Sequence, residues 1–294
     1  MPEGDTVHRT ASRLHAALAG RVVTHAELRW PSAPDVDLRG ATTLEVVARG
    51  KHLLHRFDTG STLHTHLRME GQWRVEHPGP RTDRRLRNPD LRAAVLTDEW
   101  SGLGLRLGML YLVPTAREGD LVGHLGPDVL GPDWDPARAR DRVLAHPATL
   151  VEALLDQRTL AGVGTFWGSE LLFIERLHPW TPAAEVDPER LDRLLARLHR
   201  LMAAAERTGW QGSTGIQRAG EEAYVHARSG RPCRRCGTTV RVAMAGVAPR
   251  ERTVFSCPTC QGGLAPTDDG RPQRPLGSGP ASSAPRGKYR RGRG

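Results

Sequence analysis

A chain of 294 residues, 38% hydrophobic and 26% charged, is long enough for two medium domains or one large one and suits a soluble globular protein. Its 42 Lys and Arg against 33 Asp and Glu leave a formal charge of +9, so a polyanion is the first partner to consider, although arginine-rich composition also follows from a GC-rich genome. No apolar run approaches the ~18 residues that span a bilayer, and no charged-then-apolar leader opens the chain; the expectation is a cytoplasmic protein with no membrane partner and four reduced cysteines.

The chain opens on Met1-Pro2-Glu3-Gly4. A small second residue favours removal of Met1, which leaves Pro2 with a free secondary amine. With a pKa near ~7.7–8.0 such an amine is partly neutral and nucleophilic at neutral pH, where a lysine at about 10.4 is not. Amines attack carbonyl-like carbons and form Schiff bases, and Glu3 beside it can give or take the protons. Taken alone, these residues fit an ordinary chain start better than a catalytic one. Val7, Ala11, Leu14 and Leu18 then recur at helical spacing, with Asp5 or Thr6 as N-cap and Gly20 as the stop. Pro2 and Glu3 thus precede a helix N-terminus, a region that favours anions.

From residue 21 to about 115 the texture is β: Arg21-Val22-Val23, Thr43 to Val47, Leu53 to Phe57, Ser61 to His64, Trp73-Arg74-Val75 and Leu91 to Leu96. Strands at this spacing predict an antiparallel sandwich or barrel. Arg81 to Arg87 reads as an exposed basic loop. His64 and His66 alternate on one strand, but nothing nearby completes a metal set. A Gly-, Pro- and Asp-rich linker runs from about Pro114 to Pro136. Helices follow: one opened by Asp135-Pro136, one carrying Leu150, Leu154 and Leu155, and a long one from Asp187-Pro188 to Gly209. Between them, Leu160-Ala161-Gly162-Val163-Gly164 feeds a helix start at Thr165, where exposed amides could bind phosphate; an ordinary helix–helix turn is an equal alternative.

Near the C-terminus Cys233-Arg234-Arg235-Cys236 and Cys257-Pro258-Thr259-Cys260 stand twenty residues apart. Paired C-x-x-C knuckles at this spacing match a tetrahedral four-thiolate zinc site, closed and therefore structural, with Arg241 to Met244 and Thr253 to Phe255 as the hairpin between them. Beyond Gln261 apolar content is lost. Residues 266–294 carry seven Lys or Arg and two Asp, a composition that predicts a disordered basic tail with salt-sensitive attraction to nucleic acid.

Met1-Pro2-Glu3-Gly4, Gly50-Lys51 before a strand, Leu125-Gly126-Pro127-Asp128-Val129-Leu130, Leu154-Leu155-Asp156-Gln157, Ala161-Gly162-Val163-Gly164 and the four-cysteine finger stand in that order. Over residues 1–263 the chain resembles the Fpg/Nei family of DNA glycosylase/AP lyases, and its endonuclease VIII (Nei) branch more than the Fpg branch. The resemblance implies an α+β multidomain fold: an N-terminal β-sandwich with a leading helix over 1–115, a linker over 116–135, a helix–two-turns–helix domain over 136–225 and a zinc finger over 226–263, ahead of the tail at 264–294. It implies damaged DNA as partner, duplex and also single-stranded or bubble DNA. It further implies one structural Zn2+ and a monomer in the bacterial cytoplasm, on the nucleoid.

The resemblance also implies roles. The Pro2 amine attacks C1′ of a flipped-out nucleotide and Glu3 protonates the opening sugar. Lys51 contacts phosphate and gives a proton in β-elimination, and Arg252 grips the flanking phosphate and assists δ-elimination. Met69 fills the gap left by the flipped base, with Arg68 counted beside it as a DNA contact. Thr165 stands where the family usually has a phosphate-binding Asn, and Thr6 where familiar members have Glu. Gly209 to His226 is too short for the loop that cradles 8-oxoguanine in the Fpg branch, and Arg106-Leu107-Gly108 lacks its Arg-x-Phe wedge. Oxidised or ring-saturated pyrimidines and abasic sites are therefore the expected substrates. A non-cleaving damaged-DNA-binding relative and a zinc-ribbon nucleic-acid-binding protein remain the alternatives at this point.

Overall fold

The computed structural model describes residues 2–31, 36–273 and 276. The N-terminal part runs α1 (Gly4–Leu18), β1 (His25–Leu28), β2 (Thr43–Arg49), β3 (His52–Phe57), β4 (Ser61–His66), β5 (Gln72–Glu76), α2 (Pro80–Leu86), β6 (Leu91–Leu96), β7 (Ser101–Leu105) and β8 (Met109–Pro114). Its strands form two antiparallel four-stranded sheets, ordered β1-β6-β7-β5 and β2-β3-β4-β8. Val46, Leu53, Phe57, Leu63 and Leu110 from one sheet meet Trp73, Ala93 and Val95 from the other in one core, and α1 adds Val7, Ala11, Leu14 and Leu18. The sandwich with a leading helix is thus the observed architecture.

The remainder runs α3 (Glu118–Val122), α4 (Pro136–Leu144), α5 (Leu150–Leu155), α6 (Thr165–Ile174), α7 (Pro188–Thr208), β9 (Arg241–Ala245), β10 (Arg252–Ser256) and α8 (Pro258–Gln261). The Asp135 side chain caps α4 by accepting from the Ala137 and Arg138 amides, a contact worth about 1 kcal/mol. Asp187 caps α7, which ends at Gly209 in the left-handed conformation. The helices bury a second core that includes Leu150, Leu154, Trp167, Leu171, Leu194, Leu198 and Met202. α6 is buried from Thr165 to Phe173 because it lies between this core and a third one, where Phe173 meets Val225, Val240, Phe255, Cys233 and Cys257. No helix among the described residues is long and apolar enough to cross a membrane.

Several expectations are corrected. Arg21-Val22-Val23 is not a strand; Val22 makes one isolated bridge to Thr42, and the strand comes later, at His25–Leu28, where it pairs with β6. The basic stretch from Arg81 is helical: Pro80 occupies the first turn of α2, and Thr82 and Arg85 bind Glu76 of β5. α1 begins at Gly4 with Glu3 in the cap position, ahead of the predicted caps Asp5 and Thr6. β7 escapes a pattern search because Gly102 and Gly104 interrupt it, yet it is wholly buried. A Cβ at Gly102 would sit 3.2 Å from Leu14 and Leu18, and one at Gly104 2.6 Å from Leu107, so close packing selects glycine there.

The tail also begins later than residue 264. Asp268 forms a buried ion pair with Arg241 of β9. The Gln273 side-chain amide donates to the Val242 carbonyl at 3.0 Å while its oxygen accepts from the Val242 amide at 2.9 Å. One side chain thus stands where a third strand would bond to β9. Residues 274, 275 and 277–294, which hold most of the expected basic tail, lie outside the described residues.

Candidate active site

Three segments distant in sequence converge on the N-terminus. The Gly4 amide donates to the Gly162 carbonyl at 2.8 Å, which pins the first residues against the Ala161 to Gly164 loop. Glu3 is 1% exposed, and its carboxylate does not serve its own helix. It crosses to the N-terminus of α6, accepting from the Gly164 and Phe166 amides, both at 2.8 Å, and from Trp167 at 3.4 Å. The first-turn amides that could have bound a phosphate are therefore largely taken by Glu3, because an internal carboxylate meets the same positive helix end. Burial pushes the Glu3 pKa up to about 6, against the pull of the Lys51 charge and of the α6 amides. A carboxyl at about 6 holds a proton in a useful fraction near neutrality and can act as an acid.

Lys51 sits in the turn between β2 and β3, after Gly50 at φ +59°. Its Nζ donates to the Val163 carbonyl at 2.6 Å. Burial lowers its pKa from the ordinary lysine value; Glu3 opposes that shift and Arg252 adds to it. Glu3 and Arg252 thus both lie within the field of Lys51. Arg252, the first residue of β10, is exposed, and among the described residues its side chain donates only to the nearby Arg250 and Glu251 carbonyls, both at 3.2 Å. Its guanidinium is open to an anion from outside.

Arg68 and Met69 lie in the tight turn between β4 and β5, closed by the Gly71 amide donating to the Leu67 carbonyl at 2.9 Å. Arg68 has φ +53°, and Met69 is 66% exposed, which rules out a core methionine. Thr165 opens α6 and is buried.

Sequence reasoning missed the residues that hold these groups in place. The Gln157 side chain donates to the Val163 carbonyl at 2.8 Å and accepts from the Gly162 amide at 3.0 Å, so it shapes the loop that receives Lys51. Asp5 is buried, its pKa raised by that burial, and the Gln211 amide donates to both its oxygens at 3.1 and 3.2 Å. Glu170 of α6 accepts from the Tyr224, Val225 and His226 amides, drawing the segment after α7 onto the same helix. Periodicity cannot reveal such contacts; only the quoted motif around Gln157 marked one of them.

The four cysteine sulfurs all lie within 4.8 Å of one another, with Cys236 and Cys257 at 3.5 Å and Cys233 and Cys260 at 4.0 Å. A tetrahedral site with metal–sulfur bonds of ~2.3 Å requires sulfurs about 3.8 Å apart. None of the four is in a disulfide, so the donor set fits a four-thiolate metal.

Residues 1–99 match the formamidopyrimidine-DNA glycosylase N-terminal domain and residues 125–217 the formamidopyrimidine-DNA glycosylase H2TH domain. A probable endonuclease 8 2 of Streptomyces coelicolor is 48% identical over 272 residues, 92% of this chain and 98% of that protein. This chain belongs to the Fpg/Nei family. The DNA-(apurinic or apyrimidinic site) lyase Nei2 of Mycolicibacterium smegmatis is 40% identical to this family member, over 89% of this chain and 99% of its own. The crystal structure of MutM (Fpg) from Thermus thermophilus superposes with a TM-score of 0.70 at 30% identity, covering 90% and 100% of the two chains. Lactococcus lactis Fpg bound to DNA containing an AP site shares the fold, with a TM-score of 0.69 at 22% identity over 88% and 99%. The endonuclease VIII side of the family supplies the more similar of these relatives.

Proposed function

We propose that this protein is a bifunctional DNA glycosylase/AP lyase of base excision repair that removes oxidised pyrimidines and cleaves the abasic site by β,δ-elimination. The observation that carries the proposal is Glu3, a proton-holding carboxyl with a pKa of about 6, next in sequence to the Pro2 amine and within the field of Lys51.

With Met1 removed, the neutral Pro2 nitrogen attacks C1′ and the glycosidic bond breaks, its electron pair leaving with the base, which takes up the proton that the Pro2 nitrogen loses. Glu3 gives its proton to the ring oxygen as the sugar opens, and the nitrogen lone pair completes an iminium. That cation acidifies C2′; loss of its proton breaks the bond from C3′ to its phosphate oxygen. A second elimination breaks the bond from C5′, and water then releases the sugar fragment from Pro2. Lys51 serves the first elimination as a proton donor and Arg252 holds the flanking phosphate for the second. Thr165 offers a hydroxyl to a backbone phosphate at the start of α6, without the amide fork of an Asn. Met69, with Arg68 beside it, occupies the gap in the stack; an apolar side chain left in water by the free protein is suited to that place.

Cys233, Cys236, Cys257 and Cys260 would hold one Zn2+. Its contribution when bound is to fix the hairpin that carries Arg252; with all four positions taken by thiolate, it leaves no site for substrate. The preference for pyrimidines is supported by the short segment after α7 and by Gly108, which stands where the Arg-x-Phe wedge of the Fpg branch has its Phe. The protein acts as a monomer on duplex, bubble or single-stranded DNA, in the bacterial cytoplasm on the nucleoid.

The test is incubation with a duplex carrying one thymine glycol and, separately, one abasic site. The proposal expects a single-nucleotide gap with phosphate at both ends from each substrate. It expects Glu3→Gln to abolish base release while sparing much of the cleavage of the preformed abasic site. An intact strand with both substrates refutes it.

A further inference from the structure

Asp128 lies in the linker segment before α4 and is 0% exposed. Its Oδ2 accepts from Nε2 of His8 in α1 at 2.9 Å and from the Gly50 amide at 2.6 Å, and its Oδ1 accepts from the Leu130 amide at 3.1 Å. Its backbone bridges to Ala161, and the Ala161 amide donates to the Pro127 carbonyl at 2.9 Å. One residue therefore joins the helix that begins beside Pro2 and Glu3, the turn that carries Lys51, and the loop that offers Lys51 the Val163 carbonyl. Burial alone would raise the Asp128 pKa, but His8 and the Gly50 and Leu130 amides hold it below the usual carboxylate value, so the carboxylate stays charged and its bond to Gly50 is charge-assisted.

We infer that Asp128 is a positioning residue for the lyase step, setting Lys51 relative to the Pro2 adduct through the Gly50 amide. The inference rests on the proposed lyase chemistry. Glu3 does not depend on this tether: the α6 amides hold its carboxylate, and Gly4 is anchored separately to Gly162. Gly50 can occupy its left-handed conformation without cost, so the turn has little stiffness of its own and its place is fixed from outside. Losing the carboxylate should therefore displace Lys51 and leave Glu3 where it is. A buried amide left without its acceptor would also draw the turn out of register with the loop.

The effect reads as a change in the partition between two steps, which a general loss of stability would not produce. The test compares wild type, Asp128→Ala, which removes the acceptor of the Gly50 amide, and His8→Ala under single turnover. It follows base release from thymine-glycol duplex, borohydride-trapped adduct at a preformed abasic site, and strand scission at that site, with thermal unfolding measured alongside. Asp128→Ala is expected to slow scission 10- to 100-fold while base release and adduct yield stay within about threefold. His8→Ala, which leaves the Gly50 bond in place, is expected to keep the wild-type ratio. Equal loss of all three activities in Asp128→Ala, or an unchanged ratio, overturns the inference. Should that variant fail to fold, a changed ratio in folded His8→Ala would overturn it too, and an unchanged one would support it. Failure of the wild type to form any adduct would instead refute the lyase chemistry itself, and the inference with it.

Discussion

Replacing Gly164 by alanine adds one methyl at the point where α6 receives Glu3. An ideal Cβ there would lie 2.4 Å from Cδ and 2.5 Å from Oε1 of Glu3, so the carboxylate must retreat by about 1 Å to reach ordinary van der Waals contact. The backbone itself is not strained, since Gly164 has φ −128°. A retreat of that size breaks the two 2.8 Å bonds to the Gly164 and Phe166 amides. Bonds to a charged group contribute roughly 1.5–3 kcal/mol each, and a misplacement of about 1 Å in a reacting group costs on the order of 10²-fold in rate. Gly164→Ala should therefore lose about 100-fold in single-turnover base release from thymine-glycol duplex. The Pro2 amine is untouched, so borohydride trapping at a preformed abasic site should persist. Base release within threefold of wild type, in a variant that folds normally, would show that Glu3 is not the acid or that its seat on α6 does not matter.

Three further outcomes follow from the same geometry. Folding raises the Glu3 pKa from 4.5 to about 6, so its contribution to stability is most favourable below 4.5 and is lost as pH rises through 6. At 1.36 kcal/mol per pH unit the loss is about 2 kcal/mol; urea unfolding of Glu3→Gln should gain that much relative to wild type between pH 4.5 and 7.5, and a constant difference would contradict it. Met69→Ala should leave the unfolding temperature nearly unchanged, because the side chain is exposed, yet weaken binding to abasic duplex about tenfold and to single strands much less, as read by fluorescence anisotropy. Removing metal with a chelator, or by Cys257→Ser, should abolish DNA retention and lower native mass by one zinc per chain, while amide exchange in the sandwich strands stays slow; retention of DNA by metal-free protein would count against a structural finger.

The sequence made some elements plain and hid others for physical reasons. α7 was legible because one apolar stripe runs from an Asp-Pro start to a glycine stop, and the cysteine knuckles because metal geometry demands that spacing. β6 was found residue for residue, since its apolar residues Leu91 and Ala93 to Leu96, broken only by Arg92, form a short run bounded by Pro89-Asp90 and Thr97-Asp98. β7 was hidden because helix α1 packs against it and requires glycine, the residue that weighs most against a strand. The role of Glu3 was half visible: its place at a helix N-terminus was readable, but the helix it serves begins 160 residues later, at Gly164 and Thr165. Asp128 stood inside a quoted motif with nothing local to indicate that its carboxylate reaches α1 and the Lys51 turn. Gln273, within a stretch of tail-like composition, pairs with β9 through a single side chain, below the reach of any window average.

The chemistry turns on which atom forms the covalent bond to the sugar. Borohydride reduction of the protein on abasic DNA, followed by nuclease digestion, proteolysis and mass spectrometry of the peptides, reads that atom directly. The account predicts a reduced deoxyribose fragment on the N-terminal peptide, attached at Pro2 with Met1 absent. An adduct found on Lys51 or any other lysine, or an adduct-forming protein that still carries Met1, would contradict it.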